Sequence, residues 1–121
     1  MKTVVLKFGG TSVGSIDRIK KVCKIIASYK KKYKVVVISS AMSGVTNDLV
    51  NKSKSISNNF DLAEYDALVS TGEQVSCSLI AGRLKHIGLN LCKGLNFPFG
   101  SHHSSAIFEN FSISFLFTLL M

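Results

Sequence analysis

The sequence is short of acidic residues, has no closely spaced cysteines and contains no long apolar run, and each shortage removes a class of protein. Seven Asp and Glu stand against 15 Lys and Arg, a formal net charge of +8. Such an excess suits anionic partners, whether a nucleic acid, a membrane surface or a phosphorylated substrate. Cys23, Cys77 and Cys92 are odd in number and widely spaced. Without a Cys-x-x-Cys pair they offer neither a zinc site nor a dithiol redox centre, and a reducing cytoplasm is their simplest home. The apolar stretch from Phe111 to Met121 has 11 residues, against about 20 for a membrane helix, so no membrane span or membrane partner is expected. The first residues hold neither an apolar signal core nor a small-residue cleavage site, which argues against export.

What is present reads as a folding sequence. The 121 residues are 46% hydrophobic and 18% charged, enough for one modest domain. Thr3 to Phe8 is a β-branched, apolar run stopped by Gly9-Gly10, the pattern of a buried strand. Ser15 is a plausible N-cap for a helix whose apolar positions are Ile16, Ile19, Val22, Cys23, Ile26 and Tyr29. Lys30-Lys31-Lys32 and Lys34 follow; they read as a solvated helix end, because cations favour the negative end of the helix dipole and no aromatic platform accompanies them. Val35 to Ile38 is a second strand. Strand, helix, strand predicts a parallel βαβ unit, an α/β fold and a sheet covered on both faces. Thr46 to Ser55 reads as a short helix and Ser57-Asn58-Asn59 as a loop. Asp61 to Ile87 reads as a longer helix broken near Ser70-Thr71-Gly72, with Val75, Leu79, Ile80, Leu84 and Ile87 inside and Gly88 as its stop. Composition shifts after Lys93, since residues 94–121 carry a single charge, Glu109. A boundary is drawn there: 1–93 as the folded part, 94–121 as a divergent apolar tail that packs as a terminal strand or stays exposed and aggregation-prone.

The segment with most chemistry is Lys7-Phe8-Gly9-Gly10-Thr11-Ser12, at a strand end just before a helix. Paired glycines can present backbone N–H groups to phosphate oxygens, the helix start is electropositive, and Lys7 adds a full charge. A P-loop is excluded, because Ser15-Ile16 stands where that motif needs Lys followed by Ser or Thr; the dinucleotide Gly-x-Gly-x-x-Gly pattern fails as well. From the residues alone, a plain strand-to-helix turn is as good a reading as a phosphate loop. Ser40 and Thr46 read equally as turn or cap residues, Glu73 as an exposed first-turn carboxylate, and Cys23 and Cys77 as buried small apolar residues. His102-His103 lacks the spacing of a helical metal pair and receives no role.

Lys7-Phe8-Gly9-Gly10-Thr11-Ser12-Val13 closely resembles the opening motif of the aspartokinases, a branch of the amino-acid kinase family. Two further blocks resemble that family in the same order: Val35 to Leu49, through Ser39-Ser40-Ala41-Met42-Ser43-Gly44, and Leu68 to Ser76, through Ser70-Thr71-Gly72-Glu73-Gln74. The resemblance covers residues 2 to 93. It implies the N-terminal part of a three-layer, parallel-sheet α/β fold and phosphoryl transfer from ATP, with Mg2+ held mainly through the phosphates, to the side-chain carboxylate of L-aspartate. The product would be 4-phospho-L-aspartate, on the route to lysine, threonine and methionine. Lys7 would be catalytic. Lys7, Phe8, Gly9, Gly10, Thr11, Ser12 and Ser40 would bind ATP, while Thr46 and Glu73 would bind the α-carboxylate and α-ammonium of aspartate. A lysine and paired glycines open other amino-acid kinases too; the Thr46 and Glu73 blocks narrow the substrate to aspartate. No side chain is assigned to a metal, no nucleic acid is expected, and the full-length family implies a homo-oligomer. The family's later blocks do not follow residue 93, so the expectation is a truncated or frameshifted product, inactive alone. The rivals are a small basic nucleic-acid-binding module, resting on the lysine run, and a fragment that pairs with a separately encoded partner.

Overall fold

Two parallel strands and the helix between them organise the chain. The computed structural model describes residues 1–91 and 117–120. Strand β1 (Thr3–Phe8) pairs with β2 (Lys34–Ser39), Val4 opposite Val35 and Leu6 opposite Val37. Successive side chains on a strand point to opposite faces. Leu6, Phe8, Val35, Val37 and Ser39 therefore share one face, and Val5, Lys7, Val36 and Ile38 the other.

Helix α1 (Ile16–Lys30) starts where expected: the Ser15 side chain accepts from the Arg18 amide at 3.3 Å, and Asp17 lies in the first turn. Its buried stripe is Ile19, Val22, Cys23 and Ile26. That stripe is narrower than the sequence suggested, because Ile16 (51% exposed) sits in the first turn and Tyr29 (40% exposed) leaves the sheet to lie beside Tyr33, ring centroids 6.1 Å apart. Lys30 ends the helix and Lys31 caps it. The lysine run is a helix end.

Helix α2 (Val45–Ile56) matches the expected short helix within a residue at each end. Helix α3 (Leu62–His86) does not break near Ser70-Thr71-Gly72. The Ser70 and Thr71 hydroxyls donate back to the carbonyls of Ala67 and Leu68, at 2.8 and 2.7 Å, and so stay inside the helix. Gly72 is there for packing: a Cβ on it would lie 3.0 Å from the Ala41 Cβ and 3.3 Å from Val45 Cγ1. The same close approach turns the helix. Its buried face is Val69, Gly72, Glu73, Ser76, Cys77, Ile80 and Leu84, whereas Val75, Leu79 and Ile87, expected inside, are exposed. Small residues face β2 because only they let the helix backbone come close. Gly88 stops the helix as expected, with φ of +84°, its amide donating to Lys85 and the next amide, Leu89, to Leu84. A left-handed residue closes a helix this way, and glycine adopts it without strain.

The core lies between the first sheet face and α1 with α3, and joins Val13, Ile19, Val22, Cys23, Ile26, Val35, Val37, Ile80 and Leu84. Truncating a side chain such as Ile26 would cost about 2–5 kcal/mol. On the opposite face Val5 is 57% exposed. Among the described residues one helical layer covers the sheet, so the expectation of two covered faces is not met there. Strand β3 (Phe117–Leu120) adds to β2 antiparallel, Val36 opposite Leu120 and Ser39 opposite Phe117. The end of the tail is thus a terminal strand, one of the two outcomes expected for it, and it forms an antiparallel edge on a parallel pair, a common arrangement in α/β sheets. Cys92, Pro98, His102 and His103 lie outside the described residues.

Burial raises the pKa of Cys23, and it pushes Cys77 up to about 11, with the Glu73 carboxylate adding to the effect. The thiolate is the reactive form. Iodoacetamide at pH 8 should therefore leave the Cys23 and Cys77 peptides unlabelled in the native chain and label both in denaturant, as read by mass spectrometry. Rapid native labelling of either would contradict the packing of α1 against α3.

Candidate functional site

The loop after β1 is built by the end of the strand and by the two segments it touches. Lys7, the penultimate strand residue, is exposed on the face away from α1, and among the described residues it forms no ion pair. After Phe8 the chain turns: the Ser12 amide donates to the Gly9 carbonyl at 2.9 Å and the Gly14 amide to Thr11 at 3.4 Å. The Gly10 carbonyl accepts from the Ser43 amide at 3.2 Å. The amides of Gly10 and Thr11 donate to no carbonyl or side chain among the described residues.

The two glycines are needed for different reasons, and neither has positive φ. A Cβ on Gly10 would meet the Ala41 carbonyl oxygen at 2.9 Å, so the close approach of the loop after β2 demands glycine. A Cβ on Gly9 would meet nothing within 4 Å. No contact inside the fold explains Gly9; the space beside it is open.

The second wall comes from the end of β2 and from α3. The Ser40 amide donates to the Phe8 carbonyl at 3.1 Å, locking the two strand ends together. Ser76, fully buried, lies with its hydroxyl 2.7 Å from the Ser40 carbonyl and 3.0 Å from that of Glu73, while the Ser39 hydroxyl approaches it at 3.5 Å. Glu73 is 8% exposed, and its Oε2 has no hydrogen-bond partner. Burial raises its pKa, partly offset by the main-chain amides of Glu73 and Ala41. A buried, half-satisfied carboxyl in the middle of a helix is not an exposed first-turn acid, so that reading falls. Thr46 is exposed in the first turn of α2, which begins at Gly44 with φ of +87° and has no side-chain cap bond.

Of the expected residues, Gly10 and Glu73 border Ala41 and Ser40 is tied to Phe8, whereas Lys7, Gly9, Thr11, Ser12 and Thr46 lie exposed on the adjoining segments. Ser76, Ser43 and Arg18 join them without having been foreseen. Ser76 closes the Glu73 block, but only its distance to Ser40 reveals what it holds. The lysine run stands at the far end of α1, roughly 20 Å from Ser15 along a rise of 1.5 Å per residue. An open groove of about 920 Å³ between α2 and α3, bordered by Asp48, Phe60, Glu64 and Thr71, includes none of the expected residues.

A family model described as the amino acid kinase family matches residues 2–120. The chain belongs to the amino acid kinase family. The aspartokinase of Rickettsia bellii is 41% identical over a stretch covering 96% of this chain and 30% of that protein. For the aspartokinase of Geobacillus stearothermophilus the figures are 51%, 73% and 22%. The crystal structure of aspartate kinase from Synechocystis superposes with a TM-score of 0.66 at 42% identity, over 71% of this chain and 15% of that one. The chain therefore spans less than a third of the length of these relatives, and it is similar to an N-terminal portion of aspartokinases. The family match runs past Lys93 into the tail.

The raised pKa of Glu73 has a definite sign in the stability of this amino acid kinase chain. Between the ordinary glutamate value and the raised one, the folded state keeps a proton that the unfolded state has released, so stability falls as pH rises through that window. Below the ordinary value both states are protonated and the penalty vanishes. Glu73→Gln should accordingly raise Tm at pH 8 and leave it unchanged near pH 4. A gain in Tm that is equal at both pH values would mean that Glu73 is not buried as an acid.

Proposed function

We propose that this chain forms the phosphate-binding and aspartate-binding part of an aspartate kinase, which transfers the terminal phosphoryl group of ATP to the side-chain carboxylate of L-aspartate and yields 4-phospho-L-aspartate. The observation that carries this reading is that Ala41 borders two seats of opposite character. On one side are Gly10 and the unengaged amides of the loop; on the other is Glu73, buried, with a carboxyl oxygen that has no partner. Transfer between a triphosphate and an amino acid needs an anion seat and an ammonium seat next to each other.

In this reading the amides of Gly9, Gly10, Thr11 and Ser12, with the Phe8 main chain, border the ATP phosphates, and Ser40 approaches the nucleotide from the second strand. The open space at Gly9 leaves room for a phosphate group to approach the main chain. Lys7 offsets the charge that gathers on the transferring phosphoryl group. Thr46 and the first-turn amides of α2 receive the α-carboxylate, and Glu73 receives the α-ammonium. No general base is required, because a carboxylate of ordinary pKa about 3.9 is already ionised at neutral pH. Mg2+ would come on the nucleotide and neutralise its phosphates; among the described residues no cluster of three or more potential ligands is assigned to it. The enzyme would act in the cytoplasm, consistent with two buried free thiols. No described helix is long and apolar enough to cross a membrane.

Lys7, Gly9, Thr11, Ser12 and Thr46 are all exposed. Phosphoryl transfer depends on holding two anions in line and out of water, so an open site of this kind binds without turning over. Hydroxylamine trapping of acyl phosphate from this chain with aspartate and MgATP should remain at background.

Binding is the sharper test. Calorimetry should detect MgATP, and Gly9→Ala should weaken it by roughly tenfold or more while leaving stability within about 0.5 kcal/mol, because the added methyl meets no protein atom. Unchanged MgATP affinity in Gly9→Ala would remove the phosphate-loop reading. Aspartate should bind more tightly as pH rises through the raised pKa of Glu73, since its ammonium favours the carboxylate form, and Glu73→Gln should abolish that pH dependence.

A further inference from the structure

Arg18 reaches into the loop from behind. It stands in the first turn of α1, its amide held by the Ser15 cap at 3.3 Å, and its guanidinium donates to the Thr11 carbonyl. The side chain is exposed and, among the described residues, pairs with no acid: the ion pair of α1 is Lys20 with Asp17, at 3.2 Å. Its charge is therefore not consumed elsewhere.

The peptide between Thr11 and Ser12 is pinned at both ends. Its N–H goes to the Gly9 carbonyl, and its C=O accepts from Arg18 and, at 3.4 Å, from the Gly14 amide. A peptide presents opposite partial charges at its two ends, so a loop that binds an anion must point amides inward and carbonyls away. The amides of Gly10 and Thr11 are unengaged, the Gly9 and Gly10 carbonyls accept from Ser12 and Ser43, and the Thr11 carbonyl is drawn toward α1. A guanidinium bound to that carbonyl also leaves further N–H donors and a full positive charge beside the loop.

We infer that Arg18 is a positioning residue for the phosphate: it holds the Thr11 carbonyl turned away from the bound anion and adds positive charge behind the loop. This role rests on the phosphate-loop reading given above. It differs from that of Lys7, which lies exposed at the strand end on the face away from α1.

The test is a titration of the ¹⁵N-labelled chain with inorganic tripolyphosphate, following the Gly10 and Thr11 amides by NMR, with thermal melts alongside. In the native chain both amide signals should shift on titration. Arg18→Gln should weaken the apparent affinity roughly tenfold, the scale of one charge-assisted hydrogen bond, with Tm nearly unchanged. Arg18→Lys should recover most of the loss, because an ammonium can still donate to the carbonyl although it lacks the planar fork. Native-like affinity in Arg18→Gln would overturn the role of Arg18 and leave the phosphate loop standing. So would a loss that only follows a fall in Tm and is not rescued by lysine. If the Gly10 and Thr11 amides do not respond in the native chain, the phosphate-loop reading fails, and the role of Arg18 falls with it.

Discussion

The contact on which the rest depends is the close approach of three backbones at Ala41. A carbon added at Gly10 would stand 2.9 Å from the Ala41 carbonyl oxygen, and one added at Gly72 would stand 3.0 Å from the Ala41 side chain. These distances are tighter than ordinary van der Waals contact, and glycine makes them possible at both places. The first brings the loop after β1 against the loop after β2. The second brings the middle of α3 against the same point. Ala41 itself is buried.

Burial of Glu73 is a consequence of that approach. With Gly72 pressed against Ala41, the next residue of α3 is carried under the end of β2, where its carboxyl loses water and finds main-chain amides for part of its hydrogen-bonding capacity. Desolvating a carboxyl without a charged partner is costly, and the sequence retains it at a position where an apolar side chain would be cheaper. Ser76 holds the arrangement from inside the core, its hydroxyl within reach of main-chain carbonyls on both α3 and the β2 end. Glu73 and Ser76 are therefore buried, while Lys7 and the loop residues Gly9, Thr11 and Ser12 stay exposed.

Much of this was legible in the sequence where the local signal was strong. The Thr3–Phe8 and Val35–Ile38 runs, the Ser15 cap and the Gly88 stop each follow from short-range physics: short β-branched apolar runs, a side-chain oxygen for an orphan amide, a left-handed glycine. Gly72 misled for the same reason that it matters. Glycine weakens an isolated helix, so Ser70-Thr71-Gly72 reads as a break, yet tertiary packing uses it as the point of closest contact. The stripe expected on α3 held at Ile80 and Leu84 and failed at Val75, Leu79 and Ile87, because the close contact at Gly72 and Ser76 turns those three outward.

By itself the sequence determined the βαβ order, the helix ends, the glycine loop beside a lysine, and the family to which three ordered blocks point. Only the tertiary structure decided that Gly10 serves a close contact while Gly9 borders open space, that Glu73 is a buried acid with an unpartnered oxygen, and that Arg18 donates to the loop. The physical reason is range. Caps, turns and strand alternation are set by neighbours a few residues apart, whereas the space beside Gly9, the desolvation of Glu73 and the contacts of Ser76 depend on segments far apart in the chain meeting at Ala41.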